Sequence, residues 1–168
     1  MEKHTPLQAA KRPRTPLAGP YGHPFHPILI TIPIGTWVAS LIFDILAGVS
    51  DDPTVFVTGA QALIAIGIIG ALLAAIFGFL DFLMIAAGTK AKSTAVTHMA
   101  LNLGVVVLFI INYFARAGAD HDEVNVLGVV LSVIGLAALG VSGWLGGKLA
   151  YHYGVRVADE QTQQEGFR

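Results

Sequence analysis

Residues 98–116 read HMALNLGVVVLFIINYFAR. In this apolar run His98, Asn102, Val105, Phe109, Asn112 and Arg116 recur at steps of four, three, four, three and four. That rhythm places them on one face of an α-helix. A helix this apolar on every other side, with its polar groups on one stripe, belongs in lipid with the stripe turned to protein. The whole run extends over about 93–117, longer than the ~20 residues that cross a hydrocarbon core.

Three further runs of this kind flank it, at about 27–49, 55–88 and 124–150. The composition of the 168-residue chain agrees: 54% of residues are apolar and only 12% charged, where a soluble domain carries roughly 25% charged. So few charges cannot cover a globule, and a net charge of −1 lacks the basic excess that nucleic-acid binding needs. The expected fold is therefore all-α: a polytopic membrane protein of four antiparallel transmembrane helices in an up-down bundle, with the lipid bilayer as its surroundings. No secretory signal peptide is expected, since the first apolar run starts near Pro27, exceeds a signal core in length and is followed by three more. Residues 1–26 read as a Pro-rich polar tail, extended and mobile because Pro6, Pro13, Pro16, Pro20 and Pro24 oppose helix formation. Residues 27–157 form the membrane domain and 158–168 a polar C-terminal tail.

Nine of the ten Lys and Arg residues fall on one side of this topology: Lys3, Lys11, Arg12, Arg14, Lys90, Lys92, Lys148, Arg156 and Arg168. Arg116 alone falls on the other. Positive residues stay inside, so both termini are expected to be cytoplasmic, in a multi-pass protein of the bacterial inner membrane. Small residues mark how the helices meet. Gly67, Ala71 (or Gly70), Ala74, Gly78 and Asp81 line one stripe of the second run, and Gly128, Ser132, Gly135, Ser142 and Gly146 one of the fourth. Such stripes allow close backbone approach in lipid.

The first run repeats the polar pattern with His26, Pro33, Trp37, Leu41 and Asp44. Asp44 and Arg116 share a depth at one end of the bundle, so they are expected to form an ion pair, which is structural. At the other end, His23, His26, Asp81, His98, Asn102 and His152 come from all four helices to a similar depth. No cysteine is present, so a metal or cofactor would have to use such groups. One reading is a cofactor site: His26 and His98 ligate haem b iron or another metal, with Asp81 orienting a histidine, or a quinone binds there. The other reading has His98 hydrogen-bonded to Asp81, with His23 and His26 capping the first helix among the headgroups. In His23-Pro24-Phe25-His26-Pro27 the prolines hold both imidazoles out of helical geometry, with Pro27 at the first helical position.

The segments GHPFHPILITIPIGTW (22–37), Phe43–Asp44, GFLD (78–81), THMALN (97–102) with Asn112 and Arg116, and SGWLGGKLAYHYGVRV (142–157) resemble a bacterial family of predicted four-helix membrane proteins of unknown function. The resemblance covers residues 22–157. Relatives in that family are sometimes joined to a Rieske-type ferredoxin domain, which implies a redox setting and a ferredoxin-like partner; with no cysteine this chain holds no such cluster itself. Three functions compete: a redox or electron-transfer module, a non-enzymatic accessory protein whose polar residues only stabilise the bundle, and a small proton or ion conductor. A homo-oligomer is compatible with each.

Overall fold

The computed structural model describes residues 4–168, so Lys3 of the basic tail lies outside the described residues. Among the described residues every regular element is helical. Four helices are long and apolar enough to cross a membrane: His26–Ala47, Thr54–Phe82, Lys90–Ala117 and Val126–His152. The four-span all-α architecture expected from the sequence is the one observed.

A short helix α1 (Pro6–Lys11) precedes the bundle. The first span consists of α2 (His26–Leu29) and α3 (Thr31–Ala47), divided at Ile30. Pro33 causes the division, because it has no N–H for the carbonyl four residues back at Leu29. The second and third spans are α4 (Thr54–Phe82) and α5 (Lys90–Ala117). The fourth is α6 (Val126–Gly147), continued by a single π-helical turn at Lys148–His152. Thr89 and Asn125 start α5 and α6 by accepting the Lys92 and Gly128 backbone N–H groups, the usual role of a capping side chain. In the bundle α3 packs along α4 and α5 along α6, while α4 meets α5 and α3 meets α6. The spans thus form a closed ring in chain order. Ile45, Ile69, Ile76, Phe114 and Val133 are exposed on its outside, where lipid would cover them.

Two expectations need correction. The second helix ends at Phe82, not near 88. Lys92 Nζ donates to the Phe82 carbonyl at 2.9 Å and closes that end. The apolar residues that follow turn away instead, and Ile85 packs against Ala95 and Leu149. Their hydrophobicity reflects that small second core rather than a longer helix.

The Pro-rich segment is not an extended tail either. Pro6 sits at the start of α1, where a missing N–H costs nothing, and Thr5 with Gln8 forms a capping box. A 3₁₀ turn follows at Pro16–Ala18. His26 is likewise helical, at the first position of α2, so the prolines hold only His23 outside a helix.

The N-terminal segment docks on the residues after the fourth span. Gly154 and Arg156 both have positive φ, +70° and +59°, and fold the chain back onto the bundle end. The Arg156 N–H then donates to the Ala10 carbonyl at 3.0 Å. Its Nη2 donates to the carbonyls of Ala18 at 3.0 Å and Gly19 at 3.2 Å. The Asp159 N–H donates to the Tyr21 hydroxyl at 2.7 Å. We call this arrangement the clasp. Asp159 also caps the short α7 (Glu160–Gln164).

Candidate functional site

Two polar layers cross the bundle, one near each end. In the first, Arg116 grips Asp44 with two parallel bonds, Nη1 to Oδ1 at 2.6 Å and Nη2 to Oδ2 at 2.7 Å. Arg116 Nε donates to Asn112 Oδ1 at 2.8 Å, and Asn112 Nδ2 donates to Ser132 Oγ at 2.8 Å. All four side chains are buried. The α6 backbone leaves room for the guanidinium only because residue 128 is glycine: a Cβ there would stand 2.7 Å from Arg116 Nε. Bidentate pairing with the remaining Nε–H also satisfied is what an ion pair needs to survive out of water. Each of the four side chains thus finds its partners within the layer.

The second layer is built from His26, His98, Asn102 and Ser142. His26 Nδ1 lies 2.9 Å from the Ala74 carbonyl oxygen, and His98 Nδ1 lies 2.9 Å from that of Ser142. A carbonyl only accepts, so each neutral ring carries its proton on Nδ1 and its lone pair on Nε2. Asn102 Nδ2 donates to the His98 carbonyl at 2.8 Å and to Ser142 Oγ at 2.6 Å. It approaches the two ring nitrogens of His98 almost equally, at 3.4 Å and 3.2 Å. That places the amide over the ring rather than in line with the Nε2 lone pair. The two imidazoles face each other with centroids 6.4 Å apart and planes at 89°. Glycine again makes the space: a Cβ at Gly78 would stand 2.8 Å from His26 Nδ1, and one at Gly146 3.1 Å from His98 Cε1.

Between the layers lies a dry partition. Trp37 and Phe109 stack at 4.0 Å with their planes within 6°, surrounded by Ile64, Val105 and Val106.

The other candidates sit elsewhere. Asp81 does not orient a histidine: its Oδ1 lies 2.8 Å from Arg156 Nε, with both side chains largely buried. This is the point where the clasp meets the bundle. From the sequence Arg156 counted only toward topology, and Gly154 two residues earlier was the one sign of a chain reversal that aims it inward. Both histidines use main-chain carbonyls in place of Asp81. His23 and His152 are exposed, and His152 packs edge-on against Tyr153 at 4.9 Å. Ser142 was read as a packing residue but supports His98 directly. Among the described residues no group of three or more His, Asp or Glu could hold a metal ion together. Two open grooves lie at the clasp, lined by Pro6, Ala9, Ile85 and Lys92 among others.

No curated protein and no solved structure matches the chain. A family model does, over residues 22–159, from the turn before the first span to Asp159 of the clasp. With most of its length matched, and with four apolar spans in the structure, the chain belongs to the DUF2231 family of predicted membrane proteins.

Proposed function

We propose that the protein is a non-enzymatic accessory protein of the bacterial inner membrane, with both termini in the cytoplasm. The observation that carries this reading is the closure of the polar interior: Arg116, Asp44, Asn112 and Ser132 satisfy one another. Orientation is supported by the charges. Arg116 is consumed in the buried ion pair, so the exposed charged side chains at the end that carries it are all acidic: Asp51, Asp52, Asp120, Asp122 and Glu123. Lys90, Arg14 and the clasp occupy the opposite end, the cytoplasmic side by the positive-inside rule. Because the chain has no cysteine, single cysteines test this directly. Asp52→Cys should react with a membrane-impermeant maleimide in intact spheroplasts and Gln164→Cys only after lysis; the reverse pattern overturns the orientation. The accessory reading itself expects the purified protein to show no visible absorption band.

A redox module is the second reading, favoured by the two open Nε2 lone pairs. Its haem b form fits poorly. The glycine contacts at 78 and 146 close the helices onto both rings, which opposes a porphyrin stacked against either of them. A quinol hydroxyl donating to Nε2 from the lipid side fits the lone pairs better, with a ferredoxin-like partner as the acceptor of its electrons. Proton conduction is opposed by the Trp37–Phe109 partition, which separates the two polar layers.

A further inference from the structure

A shift of 72 residues carries the first span onto the third. It relates His26 to His98, Pro33 to Val105, Trp37 to Phe109, Ser40 to Asn112 and Asp44 to Arg116. Apart from the half-buried histidines, both members of every pair are buried. A shift of 68 residues carries the second span onto the fourth: Ala60 to Gly128, Ile64 to Ser132, Gly67 to Gly135, Ala74 to Ser142 and Gly78 to Gly146.

The contacts repeat with the positions. His26 bonds the Ala74 carbonyl as His98 bonds that of Ser142. Gly78 receives His26 as Gly146 receives His98, and Gly67 receives Trp37 as Gly135 receives Phe109. Equivalent residues also meet one another: His26 faces His98, Trp37 stacks on Phe109, and Asp44 pairs with Arg116. A residue meets its own equivalent only at a two-fold axis. The two helical hairpins thus repeat the same contacts about an axis along the bundle that passes through these three pairs. Parallel repeats of this kind put binding sites at the repeat interface.

We infer that the His26–His98 pair is a two-coordinate site for a soft monovalent cation of the cuprous class, a role beyond the accessory one. The identical carbonyl bond at each histidine fixes both rings alike, with the proton on Nδ1 and a lone pair on Nε2, the state in which a histidine ligates metal; at His98 the Asn102 amide, 3.2 Å from Nε2, is what the ion displaces. Two metal–nitrogen bonds of about 2 Å, with about 1 Å more from each nitrogen to its ring centre, separate the centroids of collinear ligands by about 6 Å. The observed separation is 6.4 Å. A linear ion places no demand on the angle between the rings, so the 89° twist is accommodated. Zinc prefers four ligands and cupric copper a tetragonal set, and the described residues supply no third His, Asp or Glu. Neutral imidazoles with a monovalent ion also bring a single charge into the membrane, the smallest cost available to a metal there.

The test is cuprous titration of the detergent-purified full-length protein, anaerobic and with a competing cuprous chelator, followed by metal analysis and X-ray absorption. One ion per chain with two nitrogen neighbours at about 2 Å is expected. His26→Asn and His98→Asn, whose amide nitrogens take the place of Nδ1 against the carbonyls, should each lose it while retaining the helical circular dichroism; His23→Ala and His152→Ala should bind as the parent does. Absence of cuprous binding by the folded protein, or binding indifferent to both asparagine variants, overturns the inference and leaves the accessory reading intact. A Soret band after haem-replete expression that depends on His26 and His98 overturns both.

Discussion

The two polar layers are built to one plan and end in opposite chemical states. In each, a residue of the first span meets its equivalent 72 positions later against a glycine of a neighbouring helix. At one end the equivalents are an acid and a base, Asp44 and Arg116, and every strong donor finds an acceptor. At the other they are two histidines, and each ring spends one nitrogen on a carbonyl and keeps the other. Divergence of the pair into opposite charges produces a fastener; retention of identity leaves two facing imidazoles, each with a lone pair on Nε2. The comparison separates holding from binding within a single repeat.

Removing the charge from one partner of the fastener should have the largest effect. Arg116→Ala strands the Asp44 carboxylate and should cost about 3–5 kcal/mol, read as a fall in thermal unfolding temperature in detergent. The double variant Asp44→Leu/Arg116→Met should recover most of the loss; equal and additive losses would show that the two residues do not act as a pair. Next comes the packing around the histidines. Gly146→Val intrudes on the His98 ring, and overpacking of this kind costs about 1–3 kcal/mol. If the variant is as stable as the parent, the close approach is not needed.

Asp81→Asn removes the countercharge of a buried guanidinium and should cost a similar 1–3 kcal/mol or so. The more telling readout is tryptic cleavage after Lys11 and Arg14, which should accelerate as the clasp loosens; unchanged cleavage would mean the ion pair does not secure it. The smallest effect should come from the binding layer, since His98→Ala forfeits one ordinary hydrogen bond, about 1 kcal/mol. A loss matching that of Arg116→Ala would erase the distinction between the layers.

The spans and their inward faces were legible because lipid imposes a simple code: apolar length for crossing and polar periodicity for the interior. His98, Asn102, Asn112 and Arg116 could be placed on one face from spacing alone. Three features were not legible. The end of α4 depends on Lys92, ten residues on, reaching back to the Phe82 carbonyl. The partner of Asp81 depends on positive φ at Gly154 and Arg156, a backbone property that one glycine only hints at. The repeat is obscured because its equivalent residues differ in type: Trp37 matches Phe109 by shape, and Asp44 matches Arg116 by complementarity. Only the histidines and a few glycines keep their identity. The helix at Pro6–Lys11 shows the reverse failing, where proline was counted by number instead of by position.

The Asp81–Arg156 contact also orders events during synthesis. Asp81 is threaded into the membrane with the second span, but its guanidinium emerges only after the fourth, and the Ala18 and Gly19 carbonyls that Arg156 also holds were made before the first. A nascent chain that stops before residue 156 thus carries an Asp81 carboxylate without its guanidinium and an N-terminal segment without its Arg156 contacts. The Gly154–Arg156 turn is the piece whose arrival secures both the second span and the N-terminal segment.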